Sequence, residues 1–312
     1  MKASQEEEIM DFTQLQYIIK IAEENNITKA AEKLFMSQSA LNQQLLKLEK
    51  ELGTQLFRRS RTNWGLTEAG RIYVEGAKAV LQIKRETYNQ IYDVAKVQKG
   101  QLIIGLTPGR GLTMFTAIYP RLHLTFPNLH IVPIEMRVRQ QQQALARDEL
   151  DISFITLANE HKTNDNYITL DREELLIAVP AGHPLSFKAA PPGKPYTVID
   201  INELRYEPFV LMDKNSTLRA ICDKIFERAG FMPNVLFETN NTSSITAMVE
   251  STFCCGIMPK YYISKDSRKL TCFALDYHPT WEVAIAYRKG SYLSEGAKEF
   301  IRLAQEYWKN VS

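Results

Sequence analysis

Four amide side chains, Gln38, Asn42, Gln43 and Gln44, fall within seven positions of the stretch Met36-Ser37-Gln38-Ser39-Ala40-Leu41-Asn42-Gln43-Gln44-Leu45. An amide carries a donor and an acceptor together, which is what reading base edges in a DNA major groove requires. Leu41, Leu45, Leu48 and Leu52 recur at spacings of four, three and four. A helix that buries this row turns Gln38, Ser39, Asn42, Gln43 and Lys47 outward, towards its N-terminal half. Ser37 is placed to cap it, and Gly53 stands where a helix end takes a left-handed residue. Shortly after, Arg58, Arg59 and Arg61 put three guanidinium groups into four positions of a hairpin-like stretch, suited to phosphate and minor-groove contact. Amides on a lone helix are more often an ordinary polar face; the basic stretch beside them favours nucleic acid.

The elements that must position these groups follow from periodicity. Asp11, with Gln14 as its capping-box partner, opens a helix from about Phe12 to Glu24. Thr28 caps a second, short helix in which Ala30, Ala31 and Leu34 face inward, and it joins Ser37 in the set expected at the DNA. Phe35-Met36-Ser37 interrupts this helix before the amide-bearing one begins. The small pair Ala30-Ala31 permits the close crossing that a helix-turn-helix needs. Thr67 then caps a long helix from about Glu68 to Lys96, roughly 44 Å at ~1.5 Å per residue. Along it Val74, Ala77, Leu81, Lys84, Tyr88, Ile91 and Ala95 alternate spacings of three and four, a seam suited to dimerisation. Packing on the chain's own second domain is the alternative for that seam.

Composition sets bounds. The 312 residues are 45% apolar and 24% charged with a net charge of +2, as in an ordinary globular protein of two or three domains. Met1 to Met10 carry Glu6-Glu7-Glu8 and no apolar core, and no apolar run approaches eighteen residues, so neither export nor membrane insertion is expected. The four cysteines, Cys222, Cys254, Cys255 and Cys272, and the five histidines form no metal spacing, which suits a reducing cytoplasm and calls for no metal or cofactor. No phosphate loop, nucleophile elbow or dinucleotide fingerprint is present, which argues against an enzyme.

Met10-Asp11-Phe12, "AAEKLFMSQSALNQQLLKLEKELGTQLFRR" (Ala30 to Arg59) and "LTEAG" (Leu66 to Gly70) together resemble the DNA-binding module of LysR-type transcriptional regulators. The resemblance continues through "GQLIIGL" from Gly100, "FPNLHI", "DELDISFI", "LLIAVPAGHPLS" and "GIMP", and so covers nearly the whole chain from Met10. The family pattern usually has Pro where this chain has Ser39, and often Ser-Arg where it has Asn42-Gln43. Both departures sit on the reading face. The resemblance implies a winged helix-turn-helix over 10–67, a linker helix over 68–97 and an α/β effector domain over 100–312, shaped like periplasmic binding proteins. Residues 1–9 precede the family's usual start and are read as a disordered extension. It also implies double-stranded DNA with an interrupted inverted repeat as partner, a small-molecule effector, and RNA polymerase if the protein is an activator. Paired linker helices and effector-domain contacts would build a tetramer, with a dimer as the simpler case. Some relatives sense peroxide through a cysteine pair in the second lobe, so redox sensing is the alternative signal. A solute-binding protein shares the two-lobed architecture, but the winged module argues against it.

From Gln101 the pattern runs strand, helix, strand, which implies a parallel sheet with helices on both faces, α/β overall. By likeness to the family, lobe I takes about 100–178 and 281–312, lobe II about 179–280, with crossings at Ala178 to Gly182 and Tyr277 to Thr280. Ligands in open parallel sheets bind beyond the carboxyl ends of strands, near helix N-termini. That rule nominates Thr107, Gly109, Arg110 and Arg137 in the first lobe. In the second it nominates Asn215, Ser216, Thr217, Asn240, Asn241 and Thr242. Each alone is more often a helix cap; their convergence suggests a cleft, and the two arginines suggest an anionic metabolite.

Overall fold

A computed structural model describes residues 11–59, 64–191, 193–251, 253–263 and 268–311. The extension expected for 1–9 and the candidate Arg61 lie outside the described residues. The chain divides into two compact units, one running to Ala95 and taking in Arg147–Glu149, the other holding Lys96–Ala146 and the chain from Leu150.

In the first unit α1 spans Phe12–Glu24, and the Asp11 carboxylate accepts from the Thr13 N–H at 2.8 Å. Helix α2 spans Ile27–Lys33, and its cap is Asn26, whose amide oxygen accepts from the N–H groups of Thr28 and Lys29 at 2.9 and 3.1 Å. Thr28 is therefore inside the first turn and not the cap expected from sequence. Asn25 at φ 46° ends α1 and leaves Asn26 extended, so the asparagine meets the free N–H groups first. Helix α3 spans Gln38–Glu51, capped by Ser37, whose hydroxyl accepts from the Ala40 N–H at 3.2 Å. Leu41, Leu45 and Leu48 are buried against Ile18, Ile21, Ala30 and Ala31. Leu52 drops out of the expected row at 46% exposure, because it lies past the last helical turn, before Gly53 at φ 65°.

Strands β1 (Phe57–Arg59) and β2 (Trp64–Leu66) pair antiparallel, with the rings of Phe57 and Trp64 stacked at 5.8 Å. The buried Glu49 of α3 fixes this wing, its carboxylate accepting from the N–H groups of Leu56 at 2.8 Å and Phe57 at 3.2 Å. Helix α4 spans Glu68–Val94 and starts at Thr67, whose hydroxyl accepts from the Gly70 N–H at 3.0 Å and donates to the Gln55 carbonyl at 2.7 Å. Gly70 allows this approach, since a Cβ there would meet the Leu56 carbonyl oxygen at 2.0 Å. Lys84, the charged member of the expected seam, lies with its Nζ 4.0 Å above the Phe12 ring.

The second unit contains one continuous mixed sheet in the order β4-β3-β5-β11-β6-β9-β7-β8, with β10 also on β6. Its elements are β3 (Lys99–Leu106), α5 (Arg110–Thr125), β4 (Asn128–Glu135), α6 (Val138–Ala146), β5 (Ile152–Leu157) and β6 (Asn166–Pro180). There follow β7 (Pro208–Met212), α7 (Thr217–Ala229), β8 (Asn234–Thr239), α8 (Thr242–Glu250), β9 (Cys255–Pro259), β10 (Leu270–Phe273), β11 (Thr280–Tyr287) and α9 (Glu295–Val311). β3 lies parallel between β4 and β5, and β7 parallel between β8 and β9, so each lobe repeats one arrangement. The sheet is not wholly parallel as the sequence suggested, because β6 and β11 run against their neighbours. β6 is the strand that joins the lobes: Asn166–Glu174 pair with β11, while the chain from Leu175 pairs with β9 and β10. The switch between Glu174 and Leu175 precedes the Ala178–Gly182 crossing expected from sequence. It is braced by the Leu175 N–H donating to the Pro279 carbonyl at 2.8 Å. Lobe I packs α5 and α9 on one face, with Phe115, Phe154, Phe300 and Trp308 in its core. Lobe II closes around Phe209, Phe226, Ile245 and Ile257.

Candidate DNA-reading helix and effector cleft

On α3 the side chains of Gln38, Ser39 and Gln43 are exposed and Asn42 is half-buried; Ser39 and Gln43 lie opposite the leucine row, Asn42 on its flank, and Gln38 in the first turn at the exposed end of the row itself. Ser37 is committed to capping, and its Oγ lies 3.1 Å from the Ser39 hydroxyl. Lys47, one turn after Gln43, is exposed with its Nζ 3.7 Å from Glu51, a pair too solvated to hold it. Thr28, in the first turn of α2, is exposed as well. In the wing Arg58 is exposed and its Nη2 donates to the Leu66 carbonyl at 2.9 Å, folding part of the guanidinium back onto the hairpin. Arg59 stands opposite Trp64 in the strand register. Gln44, left out of the reading set from sequence, is exposed beside Gln43.

The candidate dimerisation residues divide between two environments. Val74 and Ala77 are buried, and Val74 belongs to the winged module's own core, so neither is presented to a partner as the seam reading had it. The physical reason is that α4 begins against the wing and must turn its first apolar face inward there. Leu81 is half-buried, while Tyr88 and Ile91 are exposed. A different stripe stands out in solvent: Ile72, Ile83 and Val94, spaced eleven residues or three turns apart, are 61%, 64% and 86% exposed.

In the second unit the candidate residues cluster at the strand ends, and many are already bonded. Arg110, in the first turn of α5, is 3% exposed and its Nη1 donates to Glu173 Oε2 at 2.7 Å. The rings of Tyr261, Tyr262, Trp281 and Trp308 enclose its guanidinium at 4.1 to 5.5 Å, and Trp281 Nε1 donates to the same Glu173 oxygen at 2.8 Å. Its charge is thus neutralised and screened from solvent, so Arg110 is not the free cation expected from sequence. Arg137 is different: 40% exposed at the side chain, it reaches from lobe I to Asp213 of lobe II at 2.7 Å. Two further bonds join the lobes, Thr217 Oγ1 to the Thr156 carbonyl at 2.8 Å and Lys224 Nζ to Glu160 at 2.6 Å.

Ser216 caps α7 and Asn241 caps α8, each accepting from the N–H two residues on, at 3.2 and 3.0 Å. Asn215 donates its backbone N–H to Asp213 Oδ1 at 3.0 Å, and Asn240 is exposed. Thr242 is buried with its hydroxyl 3.6 Å from Met212 Sδ. Thr107, following β3, is buried and its hydroxyl has no partner among the described residues; it lies beside Gly111 in the first turn of α5, where a Cβ would come within 3.1 Å of it. Gly109, at φ 72°, precedes that helix. Sequence reasoning missed Asp213, Glu173 and the Tyr261-Tyr262 pair. Asp213 directly follows a strand, so the strand-end rule itself could have found it. Burial holds the Tyr261 hydroxyl protonated, its pKa pushed up to about 12.

All four cysteines are buried and free of disulfides. Burial pushes the thiols of Cys222, Cys255 and Cys272 up to about 12 and raises Cys254 as well, so none is a ready thiolate.

Comparison with known proteins agrees with this architecture. Residues 12–71 match "Bacterial regulatory helix-turn-helix protein, lysR family", and residues 95–309 match "LysR substrate binding domain". The chain belongs to the LysR family: it is a DNA-binding transcriptional regulator with an effector-binding domain, and not an enzyme. Among its relatives, the uncharacterized regulator YybE of Bacillus subtilis is 28% identical over 93% of this chain and 97% of its own length. The regulator AlsR of the same organism is 28% identical over 95% of each chain. A full-length variant of OxyR from Pseudomonas aeruginosa superposes with a TM-score of 0.67 at 25% identity, covering 96% of this chain and 95% of that one. Full-length CbnR, solved with its target DNA, has the same fold at a TM-score of 0.61 and 19% identity, covering 97% of this chain and all of that one.

Proposed function

We propose that this regulator reads its operator with Gln38, Ser39, Asn42 and Gln43 of α3, and responds to a small anionic metabolite held between the lobes. The observation that carries the second half is the Arg137–Asp213 pair across the lobes. A half-exposed pair of this kind contributes no more than about 1 kcal/mol, so a ligand carboxylate can replace Asp213 at little cost. The ligand's remaining contacts would then decide the balance. The unpartnered Thr107 hydroxyl would supply a donor on lobe I, and Thr242 and Asn240 line the facing helix start. Arg110 belongs to the wall of this site through Glu173, not to its anion contact.

Exchanging Asp213 for a ligand resets how the lobes meet, and with that the spacing of two winged modules in a dimer or tetramer. Moving such an equilibrium from 1:99 to 99:1 needs about 5.5 kcal/mol of differential affinity. The operator would be an interrupted inverted repeat, one half-site for each module, with RNA polymerase as a partner if the protein is an activator. Acting on DNA, the protein would work in the cytoplasm. No helix among the described residues is long and apolar enough to cross a membrane. The redox alternative finds no support in four buried, protonated thiols. The test is a thermal-shift screen of small carboxylates and matched neutral analogues on the full chain and on Arg137→Ala. The reading expects stabilisation by one or a few carboxylates that Arg137→Ala abolishes; strong stabilisation by a neutral ligand, with none by any carboxylate, would overturn it.

A further inference from the structure

Lobe II carries a cavity of about 330 Å³ at the C-terminal end of α7, the end away from Ser216 and Thr217. That volume is at the lower end of the range for small-molecule sites. Its floor is apolar: Ile199, Ile201, Ile225 and Leu275 line it, and all four are buried. Two segments part to make it. They are joined at Ala274, whose N–H donates to the Thr197 carbonyl at 3.0 Å and whose carbonyl accepts from the Ile199 N–H at 3.1 Å. Beyond that bridge Asp200 and Asp276 both border the opening.

The rim carries both signs of charge. Asp200 Oδ1 accepts from the backbone N–H and the side-chain amide of Asn202 at 2.9 and 3.0 Å, which holds this carboxyl below its ordinary value and fixes its direction. The Arg228 guanidinium lies 4.0 Å over the Tyr277 ring, which orients it. Its Nη2 is 3.9 Å from Asp276, and both side chains are more than half exposed, so this pair binds neither charge firmly. A lone carboxylate entering here would meet two acids, a plain amine would leave Arg228 unused, and a hydrocarbon would leave the whole rim unused.

We infer that this cavity is a second small-molecule site, selective for a zwitterion with an apolar body, of the class of branched or aromatic amino acids. The apolar body rests on the isoleucine and leucine floor, the carboxylate meets Arg228, and the ammonium lies between Asp200 and Asp276. The site stands apart from the interlobe cleft and does not depend on the reading of it. Tyr277 starts the segment that leads into β11, and the next residue, His278, bonds Glu174 Oε1 through Nδ1 at 2.7 Å, where β6 changes lobes. Occupancy is therefore felt at the crossing.

The test is methyl NMR of the full-length protein labelled at isoleucine δ1, titrated with L-phenylalanine and L-leucine. 3-Phenylpropionate and phenethylamine, which each lack one charge, serve as matched probes. The expected result is saturable shifts at Ile199, Ile201 and Ile225 with at least one of the two amino acids. Binding should be at least ~tenfold weaker for both truncated probes, for Arg228→Gln and for Asp200→Asn, and unchanged for Arg137→Ala. Asn at 200 keeps the acceptor that Asn202 uses, so its effect reports the lost charge and not lost folding. No saturable shift with either amino acid, equal affinity for the truncated probes, or insensitivity to both rim substitutions would overturn the inference. So would loss of the shifts in Arg137→Ala, which would assign them to the cleft.

Discussion

Gln43 and Arg59 make different demands on a duplex, and the difference can be measured. An amide that bonds a base edge in two places discriminates between bases, whereas a guanidinium on a phosphate binds any sequence and releases counterions. Gln43→Ala is expected to cost about 1–3 kcal/mol on the operator and little on random duplex. Arg59→Ala should weaken both alike and lower the slope of affinity against salt; equal losses on both duplexes for both variants would contradict the assignment. At this scale the outward set of α3 was legible because Leu41, Leu45 and Leu48 fix which way the helix faces. The cap of α2 was misread by two residues, since Asn26 and Thr28 are both good caps and only the backbone decides which is extended. The state of Arg110 was not legible at all. Its partner Glu173 lies 63 residues away in sequence, and the rings around it come from three further segments distant in the chain.

Helix α4 shows how an element can keep a sequence pattern and change its meaning. The Val74–Ala77–Leu81 seam is apolar as expected, but Val74 serves the winged module and Ala77 is buried, and the solvent-facing stripe is Ile72, Ile83 and Val94. We expect this stripe, with Ile91 at its flank, to form the helix pairing between subunits. Ile83→Asp should lower the molar mass in sedimentation or light scattering to that of a monomer while leaving the far-ultraviolet spectrum and unfolding of the winged module intact. A dimer that survives Ile83→Asp unchanged would return the interface to Leu81, Tyr88 and Ile91. The helices expected at Phe12–Glu24 and Glu68–Lys96 were legible from period and capping, within two residues at their ends. β6 was missed because it has two characters: Asn166–Glu174 mixes polar and apolar residues and is mostly half-buried, and Leu175–Pro180 is apolar and buried throughout. A strand that serves two lobes shows no single period. β10, with four residues, is too short to show one.

For the molecule as a whole, the buried thiols set an alkaline limit. In the folded chain Cys222, Cys255 and Cys272 are pushed up to about 12 by burial, while an unfolded chain would ionise them near the ordinary value of 9.0. Below about pH 9 both states keep these protons and the thiols do not affect stability. As pH rises from there towards 12 the unfolded state gains by ionising, so stability is lost, by roughly 1 kcal/mol for each thiol at pH 10. Urea midpoints should fall steadily above pH 9, and Cys222→Ala should flatten the fall; a midpoint independent of pH to 10.5 would mean the thiols are reached by solvent. The division into a winged module and a two-lobed domain was legible from motif and element order. The bonds that draw the lobes together were not, because Arg137–Asp213 and Thr217–Thr156 each join residues more than sixty positions apart. Regulation by this molecule depends first on sequence-specific DNA binding by the α3 face. The most direct test is selection of bound fragments from genomic DNA by the full-length protein, followed by affinity measurement against random duplex at physiological salt. Selection should enrich a shared interrupted inverted repeat, bound at least ~1,000-fold more tightly than random duplex and losing that preference in Gln43→Ala. Fragments with no common sequence, bound no better than random duplex, would contradict it.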